Sequence, residues 1–294
     1  MSLDWAIGPF VAVTLIEMMF ATGLGVRLAD VVGAAADRHL VLRAGLANYV
    51  AIPLVTVVLL RLLEPDSDVA IGFLLLAVCP GAPYGPPLSA LAGGSPALSI
   101  GLMVMLAGSS VLVAPLLLPV LLPLTPAGAD VQVDPLGMLF TILLTQLVPL
   151  CCGLGLNQSR PALAARLLGP AVALGKVLNA AMLALVLAAY WPELLEVRLA
   201  GVFGMLTLLS LSLVCGWLAG GARDADRRAV ALTTSIRNVG LGIGVTATAF
   251  AGTSAVTAVL AYGLVQLFGS FLIALWWRQT VSHAEARDAV SRGR

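Results

Sequence analysis

Between Val69 and Ala129 this chain carries no charged residue, and between Asn238 and Trp277 it carries none either. Each run far exceeds the ~20 apolar residues that one helix needs to cross the hydrocarbon of a bilayer, so each must cross more than once. At that depth backbone N–H and C=O groups have no water to bond, and helices satisfy them internally. Composition agrees: 60% of residues are hydrophobic and only 11% charged, with a mean hydropathy of +1.02. A soluble domain carries about 25% charge. The fold class is an all-α polytopic membrane protein.

Charged and Pro/Gly-rich breaks divide the chain into nine expected spans, near 7–26, 41–63, 69–91, 97–123, 136–156, 168–190, 199–219, 229–250 and 254–277. The connections are short, which makes residues 1–294 one transmembrane domain with a short cytosolic tail at 278–294. Lysine and arginine set the orientation. One set of loops and the tail holds thirteen of them, including Arg27, Arg38, Arg43, Arg160, Arg166, Lys176, Arg223, Arg227 and Arg228. The other set holds two, Arg61 and Arg198, among Glu64, Asp66, Asp68, Asp130, Asp134, Glu193 and Glu196. Nine spans fit this bias with the N-terminus outside and the C-terminus in the cytoplasm of a cell (inner) membrane protein. The first residues, MSLDWAIGPF, lack the basic region and cleavage site of a signal peptide.

Composition also excludes functions. A net charge of +1 builds no basic face for nucleic acid. Cys79, Cys151, Cys152 and Cys215 sit in apolar segments without metal-ligand spacing, so neither a metal site nor a cofactor is expected. His39 and His283 both fall at span edges, which leaves no His-centred catalytic site at membrane depth and argues against an enzyme.

Two spans cannot be ordinary helices. The third contains CPGAPYGPPLSALAGG (79–94), with four prolines before Ser89. Proline removes an amide hydrogen and clashes with the preceding turn, which places the first break around Gly81–Pro87; in the eighth span Arg237, Asn238 and the three glycines after them place the second around Thr233–Gly240. That eighth span holds TTSIRNVGLGIG (233–244), with Arg237 and Asn238 at its middle. Two interrupted segments, five spans apart and at the same stage of each half, are the sequence pointer to a transporter built from inverted repeats.

The residues also carry a resemblance. MMFATGLGVRLAD (18–30), NYVAIPLV (48–55), LLLAVCPGAPYGPPLSALAGGSPALSIGLMV (74–104), APLLLPVLLP (114–123), DRRAVALTTSIRNVGLGIGV (226–245) and LFGSFLIALWW (267–277) resemble the bile acid:sodium symporter family. The resemblance spans nearly the whole chain and is that of a divergent, bacterial-type member starting at the family's second span. It implies a panel and a core, crossed broken helices and alternating access. The departures lie at the family's ion sites. Gly85 and Pro86 stand for Ser-Asn in the first break, Met103 for a hydroxyl and Asn48 for Gln. In the second break Thr233 stands for Glu, Ser235 for Gly, Ile236 for Met and Arg237 for Gln. Ser99 and Asn238 are kept.

Sodium needs about five or six oxygen ligands and favours a carboxylate among them. This chain has lost that carboxylate and gained a guanidinium, so sodium is not expected to bind as it does in the family. Arg237 can supply the positive charge itself. The expectation is a secondary transporter of a small or amphipathic organic anion, with Arg237 as a bidentate receptor. Asn238, Asn48, Ser99, Gln266, Tyr84, Thr233 and Ser235 are its candidate polar neighbours. Glu17, the only acidic residue inside a span, is a candidate coupling group or ion-pair partner of Arg237. Lys176 is placed about two turns inside span six, snorkelling to the cytosolic face. Three alternatives stand beside this reading: a sodium-dependent symporter, an oxyanion efflux permease using Cys79, and a transport-incompetent sensor or scaffold. Saturable flux in proteoliposomes separates transporter from scaffold.

Overall fold

The computed structural model describes residues 4–125, 133–250 and 253–292. Asp130 and Arg294, two of the charges used for orientation, lie outside them. Helices follow one another without a strand among the described residues: α1 Asp4–Gly25, α2 Leu28–Ala36, α3 Arg38–Leu46, α4 Ile52–Leu63, α5 Ser67–Val78, α6 Gly85–Leu91, α7 Pro96–Leu121, α8 Pro135–Ile142, α9 Val148–Ser159, α10 Pro161–Leu195, α11 Leu199–Ala219, α12 Asp224–Ser235, α13 Val239–Ala249 and α14 Ala255–Arg292. Two π-helical turns, Ala47–Ala51 and Leu143–Leu147, join α3 to α4 and α8 to α9. Among the described residues, seven continuous helical segments are long and apolar enough to cross a membrane. The third and eighth expected spans are instead pairs of short helices, α5/α6 and α12/α13.

Local chemistry accounts for the element ends. The Asp37 side chain accepts from the Leu40 amide at 3.0 Å and caps α3. Asp134 does the same for α8 through the amides of Leu136 and Gly137, at 3.1 and 3.0 Å. The prolines displace one expected break. Pro86 and Pro87 lie in the first turn of α6, where a missing N–H costs nothing. The unwound stretch is therefore residues 79–84, not Gly81–Pro87, and the second is residues 236–238 rather than Thr233–Gly240. α2 is a helix in what reads as a charged loop; it packs along α7. α10 starts at Pro161, earlier than expected, which puts Lys176 about four turns into the helix, exposed, rather than two. α14 continues past Trp277 into the charged tail.

Three helices pack chiefly on one another: α1 lies along α9 and α10. Their closeness depends on glycine. A Cβ on Gly23 of α1 would stand 2.7 Å from the Leu154 amide and 3.0 Å from the Cα of Gly153 on α9. The other elements build a second body around α5 and α14, with a core of Ile71, Leu74, Leu75, Leu76, Val259 and Tyr262. The two breaks lie at the centre of that second body, facing α1.

Candidate functional site

At the first break Gly81 adopts φ +86°, and a Cβ there would stand 2.7 Å from the Cα of Ala107. Only glycine permits both that conformation and that approach. The chain then turns so that Gly85 faces Thr233 of α12, where a Cβ would lie 3.2 Å from the Thr233 Cα. The two breaks meet by backbone: the Asn238 amide donates to the Cys79 carbonyl at 3.0 Å. Groups freed by one unwound segment are thus satisfied by the other, as depth in the bilayer demands.

Three amide side chains from three separate spans hold the second break. Gln266 of α14 clamps the Arg237 backbone both ways, accepting from its N–H and donating to its C=O, each at 2.9 Å. Asn48, in the first π-turn, accepts from Arg237 Nη1 at 2.9 Å and donates to Ala44 O and Thr234 Oγ1 at 2.9 and 3.1 Å. Gln146, in the second π-turn, accepts from Asn238 Nδ2 at 2.7 Å and donates to Ala107 O at 2.6 Å and Ser110 Oγ at 3.0 Å. Asn238 Oδ1 in turn accepts from the Leu241 amide at 3.0 Å and caps α13. Each π-turn places an amide side chain against the break; π-bulges are often found at functional sites.

Arg237 is 1% exposed. Its Nε and Nη2 have no hydrogen-bond partner, and none of the three ion pairs among the described residues includes it. A central arginine costs at least ~2.5–3.5 kcal/mol on insertion scales. The arginine fork is therefore half used: Nη1 is fixed by Asn48, while the Nε/Nη2 edge, the bidentate edge for a carboxylate, is free of protein acceptors.

A cavity of ≈ 100 Å³ opens between the breaks and α1, α10 and α14. Leu15, Met18, Met182, Leu260 and Leu267 give it apolar walls; Thr14, Tyr84, Asn179, Arg237, Asn238 and Gln266 are its polar lining. A mostly apolar pocket with a few convergent polar groups is the usual form of a small-molecule site.

The expected neighbours divide. Arg237, Asn238, Asn48 and Gln266 are brought together, and Tyr84 lines the cavity with three of them. Thr233 Oγ1 donates to Ala229 O at 2.7 Å and packs at the crossing. Ser235 turns to Leu232 O and to Ser270 Oγ at 3.0 Å, away from the cavity lining. Ser99 donates to Pro96 O at 2.9 Å within its own helix and joins none of these groups. The expected Glu17–Arg237 pair is not formed. The Glu17 carboxylate packs against Gly175 of α10, and neither oxygen has a hydrogen-bond partner. Gln146 and Asn179 were not singled out from sequence. The available signal was a lone amide in an apolar span, which hydrocarbon disfavours unless it has a partner.

Comparison with known proteins finds relatives of the same kind. The family model described as "Sodium Bile acid symporter family" matches residues 12–225, a stretch that includes the first break and ends before the second. The chain is 27% identical over 292 residues to the uncharacterized sodium-dependent transporter YocS of Bacillus subtilis (strain 168), covering 97% of this chain and 88% of that relative. It is 29% identical over 157 residues to the probable sodium/metabolite cotransporter BASS1, chloroplastic, of Arabidopsis thaliana, covering 53% of this chain and 38% of that one. With two broken helices in contact at its centre and a family match over most of its length, this chain belongs to the sodium bile acid symporter family of membrane transporters.

Proposed function

We propose that this protein is a secondary transporter of an organic anion that uses Arg237 where its relatives use a bound cation. The observation that carries the reading is the buried guanidinium between the two breaks, held by Asn48 while Gln266 fixes the Arg237 backbone, with no protein acceptor on its Nε/Nη2 edge. A substrate carboxylate, sulfonate or phosphate takes that edge, and its apolar part fills the cavity. The N-terminus of α13, capped by Asn238, adds a favourable dipole. Movement of the α1/α9/α10 body against the other exposes the cavity to each side in turn. The names of the relatives favour a second reading, sodium-dependent symport.

Uptake of organic anions into proteoliposomes separates the two. Replacing sodium by potassium or choline is expected to change saturable uptake by no more than about twofold, because the oxygens that remain cannot complete a sodium shell. A steep, saturable sodium dependence establishes the second reading instead. Absence of saturable flux for any organic anion overturns both.

The proposed membrane orientation puts the N-terminus outside and the C-terminus in the cytoplasm, with the two broken pairs as the third and eighth of nine crossings. Single cysteines at Ser2 and Ser291, in a background without native cysteines, are expected to label from opposite faces of intact cells. Labelling from one face means an even number of crossings.

A further inference from the structure

One ionisable group at membrane depth takes no part in the anion site. Glu17 of α1 is half-buried, and both its carboxyl oxygens are shut off from the surroundings with no hydrogen-bond partner. An ionisable side chain inside a span is a functional-site candidate in its own right. The carboxyl lies in a slot on α10 that exists because residue 175 is glycine. A Cβ there would stand 3.2 Å from the Glu17 Cδ and 3.3 Å from Oε1, and the three atoms nearest that point all belong to this carboxyl. Helix spacing ties the slot to the cavity. Thr14 lies one turn from Glu17 on α1, and Asn179 one turn from Gly175 on α10. Both line the cavity, as does Met18. The slot adjoins the cavity.

The surroundings of Glu17 supply no counter-charge. The elements packed on α1 are chiefly α9, α10, α13 and the second π-turn. Their charged or titratable side chains are Cys151 and Cys152 on α9, and Arg166, Lys176, Tyr190 and Glu193 on α10; α13 and the π-turn carry none. On α1 itself the other is Asp4, at the far end of the helix. Lys176 follows Gly175 in the chain but is exposed. None of the three ion pairs among the described residues includes Lys176, Arg237 or Glu17. An ionised carboxylate closed off without a donor or a cation is heavily penalised. In such a place the group takes a proton and becomes neutral instead.

We infer that Glu17 is a proton-binding site, neutral while it packs against Gly175, and that its protonation couples organic anion transport to the pH gradient. The second half rests on the function proposed above; the first does not. When the cavity opens to one side, water reaches the carboxyl. The carboxylate then takes a proton from that water, or the acid releases one to it, and no other bond is made or broken. Only the neutral form re-enters the slot, so the cavity closes with the proton aboard. One proton moves with each monovalent anion.

The first measurement needs no substrate. Infrared spectra of the purified full-length protein at neutral pH are expected to show the C=O stretch of a protonated carboxyl, lost in Glu17→Gln. Gly175→Ala is expected to fold, since the added methyl meets first the flexible end of Glu17, and to remove the band by expelling the carboxyl from its slot. A band that survives in either variant, or no band in the wild type, overturns the site. The second measurement is accumulation of benzenesulfonate in proteoliposomes; this probe stays ionised and does not cross as a free acid. A one-unit pH gradient, alkaline inside, is expected to raise wild-type accumulation by up to about tenfold. It is expected to have no effect in Glu17→Gln, whose side chain stays neutral throughout. Arg237-dependent flux indifferent to the gradient overturns the coupling and spares the function. The protonated-carboxyl band without flux of any organic anion sinks the function and spares the site.

Discussion

Arg237→Gln is expected to abolish organic anion binding while the protein folds as well as the wild type or better. Loss of a charge-assisted, desolvated contact costs ~2–5 kcal/mol, a drop of roughly thirtyfold or more in affinity. Stability should move the other way, because Arg237 has no protein counter-ion and its removal relieves a desolvation penalty. Glutamine is the side chain that the family resemblance implies at this position. Arg237→Lys should recover only part of the binding: an ammonium engaged by Asn48 cannot also present a planar two-donor edge. Thermal unfolding and ligand binding, measured together on the same preparations, check this. Glu17→Gln is not expected to rescue any defect, since the Glu17 carboxylate packs on Gly175 and not on Arg237. Rescue by that second change would show that the two residues pair in another state of the transport cycle, and that Arg237 is architecture.

The second large effect concerns Asn238. Asn238→Ala removes the cap on the Leu241 amide, about 1 kcal/mol. It also leaves the Gln146 Oε1 acceptor unpaired in a fully buried position, about 1–3 kcal/mol. A loss of ~2–4 kcal/mol in stability is expected, with weakened substrate binding because the second break loses its anchor to the second π-turn. Adding Gln146→Leu should return part of that stability, since removing both partners of a buried hydrogen bond costs less than stranding one. The return is partial because Ser110 then loses its donor. Calorimetric or fluorescence-detected unfolding of the two single variants and the double decides it. Additive losses in the double variant would mean that Gln146 and Asn238 act independently, contrary to the 2.7 Å hydrogen bond between them.

The membrane class, most of the long apolar helices and the two helix interruptions were legible in the sequence, because each follows from a local property. Apolar length decides whether a segment can cross, and proline unwinds a helix wherever its missing N–H would have been needed. Arg237 was legible for the same reason: an arginine inside hydrocarbon stands out whatever surrounds it. Even locally the reading slipped where one residue has two meanings. Pro86 and Pro87 read as breakers, but in the first turn of α6 they start a helix. What Arg237 touches was a different matter. Glu17 was the expected partner because it is the only acidic residue in a span, yet partner choice depends on how each helix is rotated about its axis. The missing Cβ of Gly175 leaves room for the Glu17 carboxylate against α10, while the two π-turns carry Asn48 and Gln146 facing the break. Ser99, an expected neighbour, is turned back onto its own helix. A side chain's identity and depth are properties of the chain; its partner is a property of the packing, set by close glycine contacts between segments far apart in sequence.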